Sequence, residues 1–309
     1  MNVGLTDRDR LLVTGAAGHS GLHLMRGLAA RGHGGRVVAV VRGEAGLAEL
    51  RALPLDLEIL RGDLDDAALR RRAARGADVV LHAATLYASE RIVAAADAAR
   101  RVVLVHTTGR YSRFKSARAD YERIEDGLLA RHDHLTILRP TMIYGGPRAP
   151  AMTWLIRQVA RRRVMPVVGI GRNLMQPVLA RDLGAAYLSV LTREAATTGR
   201  CYDLPGRDAA PYGAMLRTIA AILGRRVALL PVPLGLARAG LGALRRVRPG
   251  FPIVDEQVLR LAEDKAFDWS EAARDFGYTP TDLATGLAEH VAAMGLGGRT
   301  PREGAGLRP

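Results

Sequence analysis

The stretch Leu11–Ala30, LLVTGAAGHSGLHLMRGLAA, places three glycines between a short apolar run and an amphipathic continuation. The run reads as a strand and the continuation as a helix over 19–30, so Gly15, Gly18 and Gly21 occupy a strand-to-helix turn. Glycine permits such a tight turn. It also lets a pyrophosphate approach the backbone, with its charge on the free N–H groups of the helix N-terminus. Ala17 lies inside the turn, and His19 and Ser20 in the first helical turn, where their backbone amides and the Ser20 hydroxyl meet phosphate oxygens. The spacing is G-x-x-G-x-x-G, not the general G-x-G-x-x-G fingerprint, so the glycines alone leave a ligand-free turn open.

Position in the chain favours the dinucleotide reading. From Leu11 to Pro140 the short apolar runs LLVT, RVVAVV, LEILRG, ADVVLHAA, RVVLVHTT and LTILRP alternate with amphipathic stretches. Apolar runs separated by helical patterns mark a parallel sheet covered on both faces by crossover helices. The expected fold is therefore α/β, a Rossmann-type doubly wound parallel sheet, with a smaller C-terminal region. Helices are predicted over 19–30, 46–52, 65–74, 90–100 and 116–131. After Tyr144 the joint GGPRAP opens a second region, which includes a helix with Trp154 and Arg157, the turn-rich VMPVVGIGRNLMQPV, the strand CYDLPG and the apolar VALLPVPLGLA. The expected division is a dinucleotide-binding domain over 1–144, a second region up to residue 295, and a disordered Gly/Pro/Arg tail over 296–309.

The end of the second strand meets the adenosine ribose in this fold: an acidic residue there suits the 2′-hydroxyl of NAD, an arginine the 2′-phosphate of NADP. Here the strand ends at Arg42, which favours NADP(H), although Glu44 stands close enough to offer the acidic contact. Asp63 and Leu64 follow the third strand, where Asp63 bonds the adenine amine, caps the helix beginning at Asp65, or does both. Ala83 and Ala84 end the fourth strand, and their small side chains let the cofactor pass close to the backbone.

Composition narrows the alternatives. A net charge of +14 favours anionic small molecules through the field of the whole protein. Its arginines are spread along the chain and only 5% of residues are aromatic, which argues against nucleic acid. No signal peptide or membrane-spanning run is visible, so a cytoplasmic protein with no membrane partner is expected, as a monomer or homodimer. Cys201 is the single cysteine, which rules out an intramolecular disulfide. Among eight histidines, His132 and His134 lie in a loop, and His82 and His106 end strands without carboxylates at metal spacing, so no metal site is expected. A strand-end histidine is most simply a satisfied polar group.

Taken in order, TGAAGHSG, RGDLDD, VVLHAAT, VHTTGRYS, LTILRPTMIYG and FDWSEAARDFGYTP resemble the extended short-chain dehydrogenase/reductases, in their NAD(P)-dependent epimerase/dehydratase branch. The resemblance spans nearly the whole chain. It implies that the first turn holds the pyrophosphate and that Pro140 to Ile143, Met142 included, meet the nicotinamide carboxamide. It further implies that CYDLPG and the helix near Asp182 return to the sheet, so that 176–206 rejoins the dinucleotide-binding domain, and that a smaller, interleaved substrate-binding region spans 145–175 and 207–295, where Arg157, Arg172 and Gln176 lie.

The family's catalytic set is a Ser/Thr after the fifth strand and a Tyr-x-x-x-Lys on the next helix, in which lysine lowers the tyrosine pKa. Thr107 matches the first. The string Tyr111 to Lys115 has the second spacing, but Tyr111 aligns more naturally with a noncatalytic tyrosine. Counting back from LTILRP puts the tyrosine's place near Ala117 and the lysine's near Tyr121. Either the Tyr111/Lys115 pair has slid into service, or another group, with Tyr121 a candidate, handles the proton. The sequence thus points to an atypical NADP(H)-dependent ketoreductase acting on a secondary-metabolite or sugar-derived ketone, its proton supplied by substrate or water. The alternatives are a nucleotide-sugar epimerase or dehydratase that retains its cofactor, and a catalytically silent dinucleotide-binding protein.

Overall fold

A computed structural model describes residues 4–113, 120–247 and 263–296. Its centre is a seven-stranded parallel sheet. In chain order the strands are β1 (Leu11–Thr14), β2 (Val37–Val41), β3 (Leu57–Arg61), β4 (Val79–His82), β5 (Arg101–Val105) and β6 (Thr136–Pro140), joined by Cys201–Leu204 at the edge beside β6. Across the sheet the order runs β3, β2, β1, β4, β5, β6 and then Cys201–Leu204. The chain therefore reverses direction between β1 and β4, which opens a crevice at their carboxyl ends.

The apolar runs form strands because both faces are covered. Leu11 and Val13 point into one core with Leu24, Met25 and Leu28 of α1 (His19–Ala30), while Leu12 points into the opposite core with Ile92 and Leu128. The second face is covered by α3 (Ala67–Ala74), α4 (Ser89–Ala95) and α5 (Tyr121–Leu129), and α2 (Leu47–Arg51) follows β2. Three boundaries differ from expectation. Helix α3 starts at Ala67 because Asp66, not Asp63, caps it by accepting from the N–H groups of Ala68 and Leu69. Helix α4 ends at Ala95 instead of reaching Arg100. Helix α5 begins at Tyr121, and residues 114–119 lie outside the described residues.

Past Tyr144 a third core gathers Met152, Ile156 and Val159 of α6 (Pro150–Arg161) with Met165, Val167, Leu216, Ile219, Leu287 and Val291. The helix Ala180–Thr192 leaves this region and packs on α1. The crossing is close: a Cβ on Gly184 would strike the backbone and Cβ of His23. The segment Ser270–Tyr278, expected in the substrate-binding region, packs on the first core instead, through Ala272, Phe276 and Tyr278. Tyr202 there donates to Asp275 at 2.8 Å and Tyr278 to the Pro205 carbonyl at 2.6 Å, which ties this segment to the edge strand. Of the expected tail over 296–309, residues 297–309 lie outside the described residues. No described helix is long and apolar enough to cross a membrane.

Candidate active site

The crevice holds a cavity of about 430 Å³ lined by Gly15, Ala17, Gly18, Arg42, Asp63, Leu64, Ala83 and Ala84, together with Val40, Val41, Gly43, Ala45, Gly62 and Thr85. Eight residues singled out in four separate segments of the sequence are thus brought to one wall. Gly15 has φ +75°, and an added Cβ would lie 2.7 Å from the Ala83 carbonyl oxygen. Gly18 donates its N–H to the Gly15 carbonyl at 2.9 Å, and a Cβ on Gly21 would collide with that same oxygen. The twelve-residue helix α1 begins at an N-cap glycine with no side-chain cap, so its first amides face the crevice without a partner side chain.

The Ser20 side chain departs from the simple expectation. The Ser20 hydroxyl is buried and accepts from Tyr187 at 3.3 Å, which leaves its backbone amide for the crevice. His19 lies against the Gly145 backbone; burial holds its pKa below the ordinary imidazole value, and the nearby Arg148 charge acts in the same direction. Its Nε2 is buried without a hydrogen-bond partner. An uncapped helix end, a glycine cradle that no Cβ would fit and an orphaned ring nitrogen together suit a phosphate-bearing dinucleotide.

At the second strand the two competing side chains part company. Arg42 lines the cavity and pairs with no carboxylate among the described residues, whereas Glu44 is held by Arg61 at 2.6 Å. Arg61 stands beside Val41 in the register of β2 and β3, so it reaches Glu44 from the outer side of the sheet. Asp63 Oδ1 accepts from the Asp65 N–H at 2.9 Å, an Asx turn that aims the loop into the cavity. Sequence reasoning missed Arg148. It pairs with Glu49 at the mouth of the crevice, and its Nη1 would lie 2.9 Å from a Cβ on Gly46. The signal was the arginine in GGPRAP, which reads only as part of a joint until the fold returns it to the glycine turn.

Beneath the cavity, His82 is fully buried between Thr14 and Thr85. Its Nε2 faces the Thr85 carbonyl at 2.8 Å and so carries the proton, which leaves Nδ1 to accept from the Thr14 hydroxyl at 2.6 Å. Burial keeps this ring neutral, with its pKa lowered to about 4. It is a brace for the cavity floor, and no described group of three or more His, Cys, Asp or Glu residues is placed to hold a metal.

The other expected residues stand around the ends of β5 and β6. Thr107 caps the short turn Thr108–Tyr111 by accepting the Gly109 N–H at 3.0 Å, and Thr108 donates to the Pro140 carbonyl at 3.4 Å. Pro140 closes β6, and the Met142 carbonyl accepts from Val178 at 2.9 Å. Tyr111 is half exposed and donates to Asp203 at 3.2 Å while accepting from Arg139 at 2.8 Å. Burial pushes its pKa up, only partly opposed by Arg139, the reverse of what a phenol primed for proton exchange near neutrality requires. Lys115 lies outside the described residues. Tyr121 opens α5 with its ring 6.2 Å from that of Tyr87. Gln176, expected in the substrate region, acts as a brace: it donates to the Gly206 carbonyl at 2.9 Å and accepts from Phe267 at 2.7 Å. Arg157 and Arg172 are exposed.

Behind Thr107 lies a buried charge hub. Glu125 on α5 receives the guanidinium groups of Arg110 and Arg139, the latter through Nε at 2.8 Å, and His106 Nδ1 at 3.0 Å. His106 Nε2 reaches Ser89 at 3.1 Å. These cations and hydrogen bonds outweigh burial and hold the Glu125 carboxyl at about 2. The hub pins β5, β6, α4 and the Thr108–Tyr111 turn to one point. Its Ser–His–Glu order resembles a nucleophile triad, but Ser89 is 0% exposed, so no substrate reaches it.

Residues 15–154 match a family model described as NAD(P)H-binding. That stretch is an NAD(P)H-binding domain, and the seven-stranded sheet is of the Rossmann type. A nucleoside-diphosphate-sugar epimerase from Pseudomonas aeruginosa shares the fold with TM-score 0.70 and 21% identity over 93% of this chain and 97% of that one. A dTDP-glucose 4,6-dehydratase from Streptomyces venezuelae, solved with NAD bound, gives TM-score 0.70 and 22% identity over 92% and 96%. In sequence, a ceramide reductase from Caulobacter vibrioides is 28% identical over 242 residues, 73% of this chain and 74% of that protein. The NAD(P)H-binding match covers the glycine turn and the walls of the crevice, while the edge strand Cys201–Leu204 lies beyond it.

Proposed function

We propose that the protein is an NADPH-dependent ketoreductase acting on a ketone carried by an apolar, ceramide-like substrate. The observation that carries the cofactor choice is Arg42 in the cavity wall without a carboxylate partner while Glu44 is engaged by Arg61. Arginine there recognises a 2′-phosphate, and NADPH is the form drawn on for reductions. The reductase relative supports reduction and an apolar substrate over a sugar nucleotide.

In this reading the amides of the first α1 turn, His19 and Arg148 hold the pyrophosphate, Arg42 the 2′-phosphate, and Asp63 and Leu64 the adenine. Ala83 and Ala84 give the ligand close passage along β4, and Pro140 and Met142 border the nicotinamide. Bound NADPH supplies a hydride to the carbonyl carbon. Thr107, whose oxygen already accepts the Gly109 amide, keeps its hydroxyl proton free to donate to the carbonyl oxygen and orient it. Tyr111 holds Arg139 and Asp203 and stays out of the proton transfer, which falls to water or a substrate hydroxyl.

Two substitutions test this. Arg42→Ala is expected to weaken NADPH binding roughly 10- to 100-fold, the worth of a charge-assisted pair, with little change for NADH. Equal losses for both cofactors, read by fluorescence titration, would remove the case for NADPH. Tyr111→Phe is expected to keep kcat within about threefold, and a loss of ~1000-fold would instead make it the proton donor.

A further inference from the structure

Two strands of the second region run parallel as an isolated ribbon, Val164–Val168 beside Ala228–Val232, with Val164 opposite Ala228 and Pro166 opposite Leu230. Alternate residues Met165, Val167 and Leu229 face the third core. The other set faces solvent and is wholly apolar: Val164 is 49% exposed and Leu230 53%, and Pro166 and Ala228 are exposed beside them. At one end of the ribbon stand Ile170, 61% exposed, and Leu236, 66% exposed, just past the two strands. At the other end both strands are preceded by arginines, Arg161, Arg162 and Arg163 on one side and Arg225 and Arg226 on the other. All five are exposed, and none forms an ion pair among the described residues.

The two sequence segments that carry this face are one-sided in charge. Residues 134–181 and 209–254 contain no aspartate or glutamate at all, although the chain has 31 acidic residues. A solvated arginine surface on an ordinary protein carries interspersed acids, as α5 does here; an acid-free one bordering exposed aliphatic side chains has the composition of a surface that lies on anionic lipid. A second copy of the chain would bring arginine against arginine across the same face. Nucleic acid would leave the aliphatic side chains unexplained, since the ribbon exposes no aromatic ring for stacking.

We propose that the outer face of this ribbon docks on an anionic lipid bilayer, with Val164, Leu230, Ile170 and Leu236 at headgroup depth and the five arginines on lipid phosphates. This is peripheral attachment and needs no spanning helix. It does not depend on the substrate reading, and it extends that reading by giving the enzyme access to a ketone that resides in a membrane.

The test is co-sedimentation of the full chain with vesicles of phosphatidylcholine alone or with ~30% phosphatidylglycerol, without any ketone present. Binding is expected only to the anionic vesicles, falling steeply between ~0.1 and ~0.5 M salt as the Debye length shrinks. Replacing Arg161, Arg162, Arg225 and Arg226 together by glutamine, or Leu230→Asp, or Ile170→Asp, is expected to weaken it ~10-fold or more. NADPH binding, measured on the same preparations, is expected to be unchanged and shows that each variant is folded. Equal binding to neutral vesicles, no binding to either, or unaltered binding by all three variants would overturn the proposal. So would a stable dimer that Leu230→Asp dissociates, which would make the ribbon an interface between copies.

Discussion

Gly21→Ala is expected to abolish useful cofactor binding, raising the Kd for NADPH by at least ~100-fold, equivalent to about 2.7 kcal/mol. The substitution adds one methyl group in the first turn of α1, a place where alanine ordinarily favours a helix. Here the new Cβ would collide with the carbonyl oxygen of Gly15 and crowd the Ala16 backbone, neither of which has room to yield. Gly15 is itself fixed, since its N–H donates to the Val40 carbonyl at 3.2 Å and its own carbonyl accepts from Gly18 at 2.9 Å. Relief must therefore come from opening the turn, which would move the amides proposed to face the pyrophosphate. Isothermal titration together with circular dichroism separates this from unfolding. A variant that keeps native affinity would mean that the turn is only a chain reversal and that the phosphates sit elsewhere.

The largest effect on stability is expected from Glu125→Ala. Glu125 is 1% exposed, and its loss leaves Arg139, itself 9% exposed, as a buried cation without its carboxylate. Breaking one side of a buried pair costs about 3–5 kcal/mol, more than the pair contributes relative to an apolar replacement. Urea denaturation is the measure, and a loss under ~1 kcal/mol would show that water or Asp203 compensates. The pH dependence carries a further signature. The Glu125 carboxyl is held at about 2 in the fold against an ordinary 4.5, so its contribution is complete above 4.5 and is lost as the pH falls through about 2. Stability of the native chain and the Glu125→Ala variant should therefore converge in acid.

These two positions also mark what the amino-acid sequence discloses and what it hides. The glycine turn was legible because its requirement is local: strand, turn and helix follow one another, and helix 19–30 appears at its predicted bounds. Arg42, Asp63 and Ala83 were legible because each ends a strand of a regular sheet, where position along the chain fixes position in space. The Glu125 hub was not, because His106, Arg110 and Arg139 reach it from three elements and each alone reads as one more polar residue. Arg148 and Gln176 failed for the same reason in opposite directions, one brought unexpectedly to the crevice and the other consumed by bonds to Gly206 and Phe267. The segment Ser270–Tyr278 resembled a family signature but gave no hint of which core it joins, since its aromatic residues suit either.

The close crossing of Gly184 on His23 bears on more than packing. Helix Ala180–Thr192 backs the helix whose N-terminus would carry the pyrophosphate, and the strand that follows it completes the sheet beside β6. A fragment ending at residue 144 would lose both, leaving β6, buried along its whole length, as an open edge inviting pairing with other chains. The NAD(P)H-binding match falls within the first half of the chain, yet that half takes the last strand of its sheet from the second.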